Sequence, residues 1–290
     1  MNLDDVLARG WDDHADRPAE VAAQLSASLH LIETADQCAR AARLLAHVHG
    51  EHLGQWQQGI NALEALRSLP EAAGIPASGA LGRGIATLRH ASGAPDALTG
   101  LSADDRVTVL ADVAAALAGR GDHHAALTAY AQALALALAD RALLDGSPAH
   151  RALAIGGNNL AAALEEKPGR DDFETAGMVG AARAALRSWT LAGGWLEHER
   201  AHYRLARSLL QAGDPIAAAR SAQDGIEVCE RHDAPALELF FLHAVQAMAR
   251  RAADDLPGFE ASRRHAHHLH DRIADDERRW CTTELKALDS

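Results

Sequence analysis

The sequence predicts an all-α fold, and three observations predict it. Apolar residues recur at spacings of three and four along most of the 290 residues, and no sustained strand-like alternation appears. Hydrophobic residues make up 48% of the chain and aromatics only 4%; alanine, the best helix former, fills much of the difference. Turn signals such as Gly121-Asp122, Gly193-Gly194 and Gly213-Asp214-Pro215 break the periodicity between the amphipathic runs.

In chain order, residues 3 to 33 read as two short helices, the second opening at Asp16 with Pro18 in its first turn. Residues 34 to 69 read as a second pair. Thr34 with Gln37 three residues later is a capping-box pattern, Ala39, Ala42, Leu45 and Ala46 form one inner stripe, and Trp56, Ile60, Leu63 and Leu66 form the next. A stretch rich in Pro, Gly and Ser follows, with one short helix at about 79–91. This softest boundary separates divergent N-terminal helix pairs at 1–78 from a helical array at 79–290. The whole is expected to be one continuous body.

Beyond it, Ser102 starts a helix at 102–120. The array continues at 148–166, with Leu153, Gly157, Leu160, Ala161 and Leu164 on one face, and at 171–192, with Ala181, Ala185, Leu186 and Trp189. Further pairs flank the Gly213 turn and occupy 235–253 and 256–274, and a polar capping helix is predicted at 276–288.

Residues 107–134, VTVLADVAAALAGRGDHHAALTAYAQAL, form the clearest unit. Leu110, Val113 and Leu117 make one stripe and Leu127, Tyr130 and Leu134 another, with Ala114, Ala126 and Ala133 where the helices must touch. Tyr203, Leu205, Ala206, Leu209, Ala218, Ala222, Gly225 and Ile226 repeat that register. The pattern resembles the tetratricopeptide repeat (TPR). That resemblance implies a right-handed α-solenoid, a TPR-like superhelix of antiparallel helix pairs, working as a non-enzymatic protein- or peptide-binding scaffold. The central alanines Ala114, Ala161, Ala206 and Ala244 are 38 to 47 residues apart, longer than the standard repeat of 34.

In that family the first helix of each pair lines the concave groove. Carried onto this register, one first helix presents Ile155, Asn158, Asn159, Ala162 and Glu165. The next presents Arg200, Tyr203, Arg204, Arg207 and Leu210, and the last Glu238, Phe241, Leu242, Val245 and Met248. Asn158, Asn159, Arg200, Tyr203, Arg204 and Arg207 are therefore the candidate ligand-binding residues. Arg200 and Arg204, four apart on one face, can grip a carboxylate, and an asparagine amide can bond an extended peptide backbone. The expected partner is a protein or peptide carrying acidic or carboxylate groups, and charge reversal at Arg204 is expected to abolish its capture without loss of stability. Asn159, Arg200 and Arg204 match half of the family's carboxylate clamp; Ala111 and Ala115 stand where the other half needs lysine and asparagine. The competing reading is that the arginines pair with local carboxylates such as Glu197 and Glu199, with Glu165 and Glu166 solvated.

His198-Glu199-Arg200-Ala201-His202 spells HExxH, so the alternative function is a zinc-dependent peptidase with His198 and His202 as ligands and Glu199 as base. Glu227 or Glu230 could serve as a third ligand, with nothing to single either out, and His202 falls at a packing position. The assignment is thus no catalytic residue, no metal and no cofactor. Other histidines cluster at His47, His49 and His52, at His123-His124, and at His265, His267, His268 and His270.

A net charge of −12 disfavours nucleic-acid binding. Cys38, Cys229 and Cys281 form no CxxC and read as buried small hydrophobes in a reducing compartment. The acidic N-terminus is no signal peptide, and no apolar run reaches the ~20 residues of a membrane span. With only two lysines against many arginines, the composition points to a bacterial, cytoplasmic protein.

Overall fold

The computed structural model describes residues 2–139, 143 and 145–290. Among them are fourteen α-helices and no strand, as the periodicity requires. The chain divides into two compact units, Met1–Leu144 and Asp145–Ser290.

The first unit contains α1 (Leu3–Asp13), α2 (Pro18–Ala27), α3 (Ala35–His47), α4 (Trp56–Arg67), α5 (Ile75–Ala91), α6 (Ala103–Gly119) and α7 (His123–Ala139). Local chemistry sets the starts. Asn2, Thr34 and Ser102 each accept a backbone N–H of the first turn, satisfying a donor that the helix itself leaves free. Pro76 lies in the first turn of α5, so this helix begins four residues earlier than its glycine-rich sequence suggests.

Between α3 and α4 the chain makes a π-helical turn, Val48–Leu53, closed by Gly54 at φ +62°. The wider turn redirects the chain, and α3 packs chiefly on α5, with α4 laid against α5 as well. The pair expected from residues 34–69 is thus a three-helix arrangement. Its core is Leu44, Leu45, Leu63, Leu66, Leu81 and Leu88, each at most 1% exposed. At about 1.5–3 kcal/mol for each fully buried leucine, this layer anchors the unit. The C-terminal turn of α6 abuts the π turn so closely that a Cβ on Gly119 would stand 2.6 Å from the Glu51 carbonyl oxygen. The α6/α7 hairpin follows, with Ala114, Ala126 and Ala133 fully buried at the touching face.

The second unit is regular. Its helices are α8 (Pro148–Glu166), α9 (Asp172–Ala192), α10 (Trp195–Gln211), α11 (Pro215–Arg231), α12 (Ala236–Ala252), α13 (Leu256–His270) and α14 (Thr282–Asp289). Three antiparallel pairs, α8/α9, α10/α11 and α12/α13, stack so that α10 touches both α8 and α12. Ala154, Ala161, Ala201, Ala206, Ala222 and Ala244 are all 0% exposed, so alanine is what permits the close approach. The predicted capping helix at 276–288 is divided: Arg278–Cys281 forms a 3-10 turn and α14 starts after it. Leu288 is buried as the cap expectation requires, whereas Trp280 faces outward, 52% exposed.

Candidate functional site

The first helices of the three pairs, α8, α10 and α12, share one face of the second unit. Each is pinned at its start. Ser147 caps α8, Glu197 accepts the Gly194 N–H at 2.9 Å to open α10, and Pro235 precedes α12. Along this face runs a cavity of about 550 Å³, lined by Asn158, Asn159 and Ala162 of α8, Glu199, Arg200, Tyr203 and Arg204 of α10, Leu237, Glu238 and Phe241 of α12, and Trp280. Five of the six candidate residues from the sequence line it. Arg207 lies behind them, with its Nη1 donating to the Tyr203 hydroxyl at 3.0 Å and to Glu284 at 3.1 Å.

The shortest arginine pairs run across helices, and the local pair expected from the sequence, Arg200 with Glu199, is the longer one at 3.7 Å. Arg200 donates through Nη2 and Nε to Glu238 of α12, at 2.5 and 3.3 Å. Arg204 donates to Glu165 of α8 at 2.6 Å, and the Ser208 hydroxyl donates to the other Glu165 oxygen at 2.8 Å. Glu165, expected to be solvated, is therefore a buried acceptor, while Glu166 is exposed as expected. Burial pushes the Glu165 carboxyl up, and the Arg204 charge is the largest force opposing that shift. Tyr203 donates to Glu284 of α14 at 2.9 Å, a bond that ties the last helix to the middle of the stack.

Glu199 is the unusual member. It is 1% exposed, Oε1 has no hydrogen-bond partner, and the nearest cation, Arg200 Nε, is 3.7 Å away. Burial raises its pKa strongly, and the adjoining Glu238 carboxylate raises it further. Glu199 therefore keeps its proton at neutral pH, because ionising it would put a desolvated charge beside the Glu238 carboxylate. The Asn158 amide oxygen is also buried without a partner. The cavity itself presents a guanidinium that is 57% exposed on its side-chain surface, flanked by Tyr203, Phe241 and Trp280.

The two HExxH histidines turn away from this floor. His202 is buried, its Nδ1 lies 3.4 Å from the Ser221 hydroxyl of α11, and Ser221 donates in turn to the His202 carbonyl. Burial, then the nearby His198, lower the His202 pKa to about 4. The His198 and His202 rings are 4.9 Å apart, and among the described residues no third ligand joins them in a metal-sized group. Of the other histidines, His49 is buried, and His267 meets Asp289 at 3.2 Å. Cys38, Cys229 and Cys281 are buried free thiols, as expected.

Sequence reasoning missed Trp280, Glu199 and Leu237 as lining residues. Trp280 looked like a core contact of the cap, and only the 3-10 turn before α14 rotates it into the cavity. Among the described residues, no helix is long and apolar enough to cross a membrane.

No protein-family model matches the sequence, and no curated protein does. Among solved structures, the chain is similar to a kinesin light chain of Podosopora anserina with nearly identical TPR-like repeats. Identity is 14% and the TM-score 0.51, over 82% of this chain and 97% of that one. A single-residue variant of the same protein matches at 15% identity, with the same coverage and TM-score. A Rap protein in complex with competence and sporulation factor aligns over 99% of this chain and 84% of its own at 13% identity; its TM-score of 0.40 is too low to bear on the fold. At such identities the likeness is one of architecture: the fold is an all-α solenoid of TPR-like helical repeats.

Proposed function

We propose that the chain is a non-enzymatic scaffold that holds a protein segment in the α8/α10/α12 groove. The observation that carries this reading is the lining of the cavity, where Asn158, Asn159 and the exposed Arg200 guanidinium stand beside Tyr203, Phe241 and exposed Trp280. An asparagine amide on the groove wall can bond both a backbone N–H and a backbone C=O of an extended segment. An extended peptide offers such N–H and C=O groups at regular intervals. Arg200 engages Glu238 through Nε and Nη2. Its remaining nitrogen can donate to a carboxylate of the ligand, so an acidic side chain or C-terminus suits the open end of the groove. Trp280, Phe241 and Tyr203 supply apolar contact for alternate side chains. The ligand-binding set is accordingly Asn158, Asn159, Arg200, Tyr203 and Arg204, with Arg207 holding Tyr203 from behind.

The test is a peptide array of extended acidic and neutral sequences with free C-termini, probed with wild type, Asn158→Ala, Trp280→Ala and, as a control, Arg183→Ala on the exposed face of α9. Binding should fall at least tenfold in both groove variants and be unchanged in the control. Peptides that keep full affinity for both groove variants would remove this face from consideration.

A further inference from the structure

A second chemical centre lies in the first unit, far from the groove residues in sequence. His14, just beyond α1, His47 at the end of α3, and His52 in the π turn meet at one point. One ring nitrogen from each lies within 4.8 Å of the others. The three ring centroids are 4.9, 5.0 and 4.9 Å apart, and Trp11 covers two of them at 5.3 Å. All three side chains are half-buried, within reach of solvent but fixed by packing.

The hydrogen bonds orient the rings. His14 Nδ1 faces the Trp11 carbonyl oxygen at 2.5 Å, and a carbonyl only accepts, so that nitrogen carries the proton. His47 Nδ1 faces a Glu51 carboxylate oxygen at 3.1 Å and donates to it for the same reason. His14 and His47 are thereby each left with an Nε2 lone pair, and without an ion the His47 lone pair accepts from His52 Nε2, a proton that a metal ion would displace. His47 Nε2 and His52 Nε2 are 3.2 Å apart. Two nitrogens on one zinc ion, each at 2.0–2.1 Å in tetrahedral geometry, are separated by roughly 3.3 Å. The Glu51–His47 contact is the carboxylate–imidazole arrangement that fixes a ligating histidine and raises its basicity.

We propose that His14, His47 and His52 form a three-imidazole site for a divalent transition metal, zinc by its ligand chemistry, with Glu51 orienting His47 and a fourth position open to water or an exogenous donor. Three nitrogen ligands and an open position suit Zn²⁺ and exclude the hard cations, which take oxygen. Bound there, the ion fastens the chain after α1 to the junction of α3 and α4, so part of its binding free energy becomes stability of the first unit.

The test uses the full chain without an affinity tag, stripped by chelator dialysis and titrated with Zn²⁺ and with Co²⁺. One tight Zn²⁺ equivalent is expected, with a tetrahedral Co²⁺ visible spectrum and quenching of Trp11 fluorescence. His14→Ala and His52→Ala should each weaken that site by at least tenfold, and Glu51→Gln, which removes no ligand, by about tenfold. Zn²⁺ should raise the melting temperature of wild type and not of His14→Ala, with helicity checked by circular dichroism. His267→Ala with His268→Ala, in the C-terminal histidine cluster, should leave the tight site intact. An octahedral Co²⁺ spectrum, or a tightest site unaltered when all three histidines are replaced, would overturn the assignment.

Discussion

Arg204 and Glu165 lie 39 residues apart in sequence, yet they form a 2.6 Å ion pair in which the carboxylate side chain is only 2% exposed. Taking one partner from a buried pair leaves the other desolvated and alone, at about 3–5 kcal/mol. Arg204→Glu does worse, since it sets a second carboxylate against Glu165. We expect that variant to lose about 3 kcal/mol or more in urea unfolding, with Glu165→Gln milder because Ser208 still donates to the side chain. An unchanged unfolding midpoint in Arg204→Glu would contradict the pairing. The buried pair thus argues against the expectation from sequence that this charge reversal is structurally silent, and the unfolding midpoint decides between them. Asn158→Ala and Trp280→Ala are the cleaner probes of the groove.

Glu199 gives the second unit a pH dependence of definite sign. Its folded pKa is raised by burial and then by Glu238. Above the ordinary glutamate value of about 4.3, the folded form binds more protons than the unfolded one, so stability falls as pH rises, by at most about 1.4 kcal/mol per unit. Glu199→Gln keeps a donor toward Glu238 and removes the titration. Between pH 5 and pH 8, wild type should lose stability relative to Glu199→Gln in parallel urea titrations. A constant difference would mean that Glu199 is ionised throughout.

Two helical glycines separate propensity from packing. A Cβ at Gly180 in α9 meets nothing within 4 Å, so Gly180→Ala should stabilise by about 0.5–1 kcal/mol. At Gly119 the same methyl group runs into the Glu51 backbone at 2.6 Å, and a backbone cannot swing aside as a side chain can. Gly119→Ala should destabilise by about 1–3 kcal/mol. Thermal melts of the pair check both signs.

The repeat register was legible because alanine has few other reasons to recur at helix crossings; Ala114, Ala161, Ala206 and Ala244 are all fully buried. Groove residues were legible for a similar reason, since helical periodicity alone puts Asn158, Arg200 and Arg204 on one stripe. The burial of Glu165 was not, because desolvation of a carboxylate is decided by which side chains a neighbouring helix brings to it. The participation of His14 was equally hidden, being a matter of how α1 docks on α3.

The π turn at Val48–Leu53 explains why His47 and His52 do not look like a metal motif on paper. Five residues of ordinary α-helix sweep about 500°, leaving the two imidazoles some 140° apart around the axis. The wider coil, which closes its hydrogen bonds from one residue to the fifth beyond it, reduces that offset and lets the two rings meet. Shortening this segment by one amino acid would let α-helical geometry reassert itself and swing His52 away from its companions, so here the length of the coil, more than the identity of its side chains, sets the chemistry.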